Sequence, residues 1–288
     1  MPSTTVTKHP NGSEIHFEEE AHLYFIPGKA LKFTSVTALV NEYFQEFDAP
    51  AVAEKVVKKK LRVENKNLSY EEIKVLIVEK LAEWEANKNT ACDYGTRIHE
   101  YCEKLLLTLQ ECKKKNQLQD YFQAHPVPRT PEIINNLAAD YDKETVVKQL
   151  ASRKVYNLFQ KLEFVATEQV IFSESLALAG TIDLLMQDPK TGVVYILDWK
   201  TNKKISTENR WQNGLDPIAH LEDCAISHYG LQLSVYQNLL VKEGYFQPDT
   251  KFVRQIIHLH PEEGIQMYNL AYYENEVEAI IKASELNN

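Results

Sequence analysis

The chain has 288 residues, 44% of them hydrophobic and 25% charged, an ordinary mix for a globular protein with one large domain or a core plus a helical subdomain. Its net charge of −9 argues against a coat protein that grips nucleic acid regardless of sequence, because such proteins are basic overall. No run approaches the length of a membrane span and the first residues hold no apolar signal segment, so a soluble, cytoplasmic or otherwise intracellular protein with no membrane partner is expected.

Residues 14–33 read as a small hairpin, with residues 15–17 and 22–25 as arms and Pro27-Gly28 in a turn. Ser35 is placed to cap a helix reaching residue 44. Further helices are expected over 50–62 and 69–87, the second opened by a capping box of Ser69 and Glu72. The lysine-rich run at 55–62 reads as a solvated helix face. The first 90 residues therefore form a hairpin and a mainly helical extension, either an arm that holds a substrate or a cap on a sheet.

Gly95 and Thr96 open a helical pattern over residues 93–115. His99 and Glu103 stand four apart, so both project from one face. A lone histidine on such a face is ordinarily structural. Cys92, Cys102, Cys112 and Cys224 form no CxxC pair and read as reduced thiols. Residues 116–130 are polar and read as a loop, and 131–161 as helix in two pieces broken near 139–142. Residues 162–172 are β-rich. Glu168 interrupts them, either as an exposed edge charge or as a group facing a site.

Residues 180–201 read as a β-hairpin turning at 188–192. Alternation puts Thr181, Asp183 and Leu185 on one face of the first arm, and Val194, Ile196, Asp198 and Lys200 on one face of the second. The two aspartates meet only if Asp183 lies opposite residue 196 or 198; a slip of one residue sends them to opposite faces. Two carboxylates and an ammonium are costly to bury without a partner. A hard divalent cation suits them, since Mg²⁺ takes one or two carboxylates plus water and phosphate oxygens. The plain alternative is a solvated strand face with a cross-strand Asp–Lys pair. It is weakened by the apolar arms that carry these charges. Residues 202–227 read as a linker, and 228–241 as a helix with Gln232 and Tyr236 four apart. Strands at 252–260 and 265–273 precede a closing helix from 274.

Four patterns act together. They are G-x-x-x-H-x-x-x-E (Gly95, His99, Glu103), G-T-I-D ending at Asp183, D-W-K-T from Asp198 to Thr201, and Q-x-x-x-Y (Gln232, Tyr236). Together they resemble the PD-(D/E)XK nuclease superfamily in its RecB-like branch. Ile182 stands where the superfamily pattern has Pro and Asp198 where Glu is commoner, both usual in that branch. The resemblance implies a restriction-endonuclease-like α/β core, a central mixed sheet flanked by helices, over residues 91–288. It implies a Mg²⁺- or Mn²⁺-dependent DNA nuclease, most naturally an exonuclease on single-stranded or free-ended DNA. An endonuclease and a non-catalytic nucleic-acid-binding module are the alternatives. Asp183, Asp198 and Lys200 would be catalytic. His99, Asp183, Asp198 and the carbonyl of Trp199 would hold the metal. Glu103, Gln232 and Tyr236 would support them, with Gln232 and Tyr236 holding the lysine. Tyr94, Arg97, Thr201 and Lys203 would contact the strand. No C-terminal cysteine cluster is present, so no iron–sulfur cluster is expected. Replication, recombination or repair, with partner proteins from those processes in phage or bacteria, follows by analogy alone.

Overall fold

One strand, Leu178–Gln187 (β6), organises the sheet. In the computed structural model, which describes residues 4–18, 21, 23–126 and 142–287, β6 has three strand partners. Glu163–Ser173 (β5) pairs antiparallel along its whole length, from Glu163↔Gln187 to Ser173↔Leu178. The other edge is shared at opposite ends. Thr34–Ser35 (β4) lies parallel to Leu178 and Ala179, and Val194–Lys200 (β7) lies antiparallel to Leu184–Gln187. Residues 180–183 sit at the fork between them. Past Leu197, β7 stays paired with Phe252–His260 (β8), parallel, as far as Lys200↔His258. Gly264–Leu270 (β9) closes the sheet antiparallel to β8. This mixed sheet flanked by helices fits the restriction-endonuclease-like α/β fold.

Both central arms are buried, as their apolar runs require. Ile182, Leu184, Leu185, Ile196 and Leu197 are each at most 2% exposed. The helix Ala225–Lys242 (α6) packs on this core through Leu231, Val235 and Leu239. The helix Glu274–Asn287 (α7) does so through Val277 and Ile280.

The chain packs as two units, Met1–Phe44 with Ile98–Asn288, and Gln45–Arg97. Packing thus joins the first 44 residues to the sheet, whereas the sequence places a boundary at 90/91. In that first stretch Thr4–Lys8 (β1), Glu14–Glu18 (β2) and Leu23–Phe25 (β3) form a three-stranded antiparallel sheet, one strand more than expected. Ile15, Tyr24 and Ile26 share a core with Phe172 of β5 and Ala179 of β6. Ser35 caps Val36–Asn41 (α1), its hydroxyl accepting the Ala38 N–H at 3.0 Å.

In the second unit Asp48 caps Ala49–Val63 (α2). Ala53, Val57 and Leu61 are buried at helical spacing while Lys58, Lys59 and Lys60 are exposed, so the basic run is a solvated face. The capping box forms: Ser69 N–H donates to Glu72 Oε2 at 2.7 Å, and Glu72 N–H to Ser69 Oγ at 3.3 Å.

Two helical expectations change. The helices expected at 69–87 and 93–115 are one 45-residue helix, Tyr70–Lys114 (α3), and Gly95 lies in its interior rather than at its start. No proline interrupts the stretch between them, and one glycine costs only about 1 kcal/mol, too little to end a helix of this length. The loop expected at 116–130 contains a short helix, Leu118–Ala124 (α4). Asp142 caps Lys143–Phe159 (α5). The earlier helical piece expected from residue 131 lies outside the described residues.

Candidate metal and phosphodiester site

The fork in β6 makes the site. Continuing the Leu184↔Leu197 register by one step sets Asp183 opposite Asp198, one of the two registers that bring the carboxylates together. The ladder has ended there, so the Trp199 N–H has lost its strand partner. Asp183 Oδ2 accepts it at 2.8 Å. The Trp199 carbonyl in turn accepts from His99 Nε2 at 2.9 Å, and His99 Nδ1 lies 3.4 Å from Asp183 Oδ2. His99 reaches the fork from α3, which is seated by Ile98, Cys102 and Leu106, all fully buried.

Glu168 joins this group. Thr167↔Leu184 and Gln169↔Ile182 bracket it, which places Glu168 opposite Asp183 across β5 and β6. Like charges directly opposite repel. Glu168 also holds φ at 46°, the left-handed region that a non-glycine residue rarely enters within a strand. Ligand atoms of His99, Glu168 and Asp183 all lie within 4.8 Å of one another. A charge interrupting a strand was the only signal of this in the sequence.

Asp198 lies outside that trio. Its Oδ2 is 2.5 Å from Lys200 Nζ and, that ion pair apart, accepts no hydrogen bond among the described residues although fully buried. Burial raises its carboxyl to about 6; Lys200 pulls it down and Asp183 adds to the rise. Burial pulls the Lys200 ammonium down, but Asp198 and Asp183 more than offset this, so it stays charged. The Tyr229 ring lies 4.9 Å from Lys200 Nζ. Gln232 and Tyr236 hydrogen-bond each other at 3.0 Å, and both line the cavity. The ring set over Lys200 is therefore Tyr229, on the same face of α6, which the Q-x-x-x-Y spacing did not single out. Gly180 is tied to this helix: a Cβ there would lie 2.6 Å from Tyr236 Cε1.

The cavity measures about 250 Å³ and is lined by His99, Glu168, Asp183, Asp198, Lys200 and neighbours. Glu103, half-buried, is not among its lining residues. Thr201 and Lys203 follow β7 directly, Lys203 exposed. Tyr94 and Arg97 lie on α3 in the Gln45–Arg97 unit, Tyr94 half-buried and Arg97 exposed.

The donors fit a divalent cation. The imidazole of His99, the carboxylates of Glu168 and Asp183 and the Trp199 carbonyl are donor types that such an ion takes. The buried carboxylate of Asp198 and the facing Glu168 and Asp183 carry negative charge that a cation would offset.

The sequence matches the family model of the PD-(D/E)XK nuclease superfamily over residues 75–285, and the chain belongs to that superfamily. Nucleases of this superfamily act on nucleic acid and use divalent metals. No curated protein matches the chain. Among solved structures, it is similar to a putative exonuclease from Eubacterium rectale, with 13% identity and a TM-score of 0.29. That match covers 65% of this chain and 64% of the other. No helix among the described residues is long and apolar enough to cross a membrane.

Proposed function

We propose that this protein is a Mg²⁺- or Mn²⁺-dependent deoxyribonuclease of the RecB-like branch, an exonuclease on single-stranded or free-ended DNA in replication, recombination or repair. The observation that carries this reading is the convergence of His99, Asp183 and the Trp199 carbonyl at the strand fork, beside the buried Asp198–Lys200 pair.

When bound, the cation supplies Lewis-acid polarisation of a phosphoryl oxygen and makes water more acidic. His99, Asp183, Asp198 and the Trp199 carbonyl would hold it, and Glu168, grouped with His99 and Asp183, would be a further donor. An imidazole among oxygen donors makes Mn²⁺ binding easier than in an all-oxygen site. Lys200 orients the attacking water and stabilises charge developing on the phosphoryl oxygens. Asp198 and Tyr229 keep its ammonium charged and in place. Gln232 and Tyr236 fix the α6 face that closes the site, and Glu103 supports His99 from the next turn of α3. Thr201 and Lys203 are assigned to strand contacts. Tyr94 and Arg97 are assigned to them on sequence neighbourhood alone.

Labelled linear and circular single-stranded DNA, linear duplex and RNA, incubated with Mn²⁺ or with EDTA, test this. Metal-dependent shortening of linear DNA with circles left intact is expected. Cut circles would make the enzyme an endonuclease, and binding without cleavage of any substrate would leave a nucleic-acid-binding module.

A further inference from the structure

Besides Gly180, Thr181, Gln232 and Tyr236, the cavity beside the metal donors is lined by two unlike sets of residues. The charged set comes from the sheet and α3. The other comes from the first 44 residues, which precede the family match at 75–285: Phe17, Tyr24, Ser35, Val36 and Thr37. It carries two aromatic rings, three hydroxyls and no charge.

The rings are fixed in place. Phe17 and Tyr24 are register partners across β2 and β3, with centroids 4.6 Å apart and planes 24° from parallel. Ile15 and Tyr24 are buried in the core shared with β5 and β6. Phe17, two residues along the same strand face as Ile15, sits half-buried at the margin of that core, where the apolar face reaches the cavity. The Tyr24 hydroxyl is hydrogen-bonded to Thr181 Oγ1 at 2.9 Å. Thr181 stands two residues before Asp183 on the same face of β6. The stack is therefore tied to the strand that carries a metal donor.

We infer that the N-terminal sheet is part of the substrate site, and that the Phe17–Tyr24 pair receives the nucleobase next to the scissile phosphate. This rests on the nuclease reading above. The charged lining suits a phosphate and its cation, and the aromatic lining suits what is covalently attached to that phosphate. Stacking tolerates any base, because every base has a π face. The ligand class is thus a nucleotide unit of a single strand, held without base preference.

Steady-state cleavage in Mn²⁺ of single-stranded oligonucleotides carrying one abasic residue, moved stepwise past the scissile bond, tests the inference. Wild type is compared with Phe17→Leu, which keeps the core margin apolar, and the melting temperature checks its fold. In wild type, one abasic position is expected to raise KM about 5- to 100-fold with kcat changed far less. Phe17→Leu should show the same rise with the intact strand and little further loss with the abasic one. A wild type indifferent to every abasic position, or a Phe17→Leu protein that keeps the full abasic loss, overturns the inference while cleavage itself stands. A wild type that cleaves none of these strands in Mn²⁺ removes the nuclease reading and this inference with it.

Discussion

Asp183 is bonded through its side chain to the backbone of Trp199: Oδ2 accepts the Trp199 N–H at 2.8 Å, where the ladder between β6 and β7 has already opened. One carboxylate thus closes the fork and aims the next carbonyl at His99. The two tasks separate by substitution. Asparagine keeps an oxygen to accept the N–H, and alanine does not. Asp183→Ala is expected to lose about 1–3 kcal/mol of stability, the cost of a buried unpaired N–H. Asp183→Asn should melt near wild type, yet both variants should lose the rise in melting temperature that Mn²⁺ gives. Thermal melts with and without Mn²⁺ check this.

Lys200 is expected to act on the reaction rather than on metal binding. Lys200→Met should lower kcat about 10²–10³-fold, the usual loss on removing one preorganised electrostatic group. Mn²⁺ affinity should change little. Asp198 loses the ammonium 2.5 Å from its Oδ2 in this variant, so apo stability should fall and metal should restore it. Cleavage near the wild-type rate at saturating Mn²⁺ would show that the lysine serves only as a counter-ion.

Asp198 gives the site a pH dependence. Its carboxyl is raised from 3.8 to about 6 by burial, so between those values the folded chain holds more protons than the unfolded one. Its contribution therefore lowers apo stability as pH rises through that window. A metal needs the ionised carboxylate, so Mn²⁺ affinity should move the opposite way and weaken as pH falls below about 6. Calorimetric titration across pH 5 to 8 is the check, and Asp198→Asn should abolish the pH-dependent part that Asp198 supplies.

Much of the centre was legible because its residues repeat at periods that physics fixes. Alternation in the arms around residues 180–201 put Asp183 and Asp198 on faces that can meet, and the observed register is one of the two allowed. Spacing by four set the faces of α3 and α6. What stayed hidden depends on contacts between distant segments. Glu168 carries no local pattern, and its meaning lies in the strand opposite. Tyr229 is one aromatic among several on its helix until Lys200 is placed over it. The N-terminal strands are short, and nothing in them announces that Tyr24 will bond Thr181.

Glu168 tests the donor set itself. Glu168→Gln removes a charge that faces Asp183 but keeps the shape, so the apo protein should be no less stable. If Glu168 is a donor, Mn²⁺ should bind at least tenfold more weakly in calorimetry at one fixed pH. Unchanged affinity would make it a bystander held in a strained backbone.

The most direct measurement is an anomalous difference map from crystals grown with Mn²⁺. A peak is expected in bonding contact with His99 Nε2, the carboxylates of Asp183 and Asp198, and the Trp199 carbonyl. Cleavage supported by the same Mn²⁺ with no peak at these atoms, or with the ion bound elsewhere, would contradict a reaction centre at this strand fork.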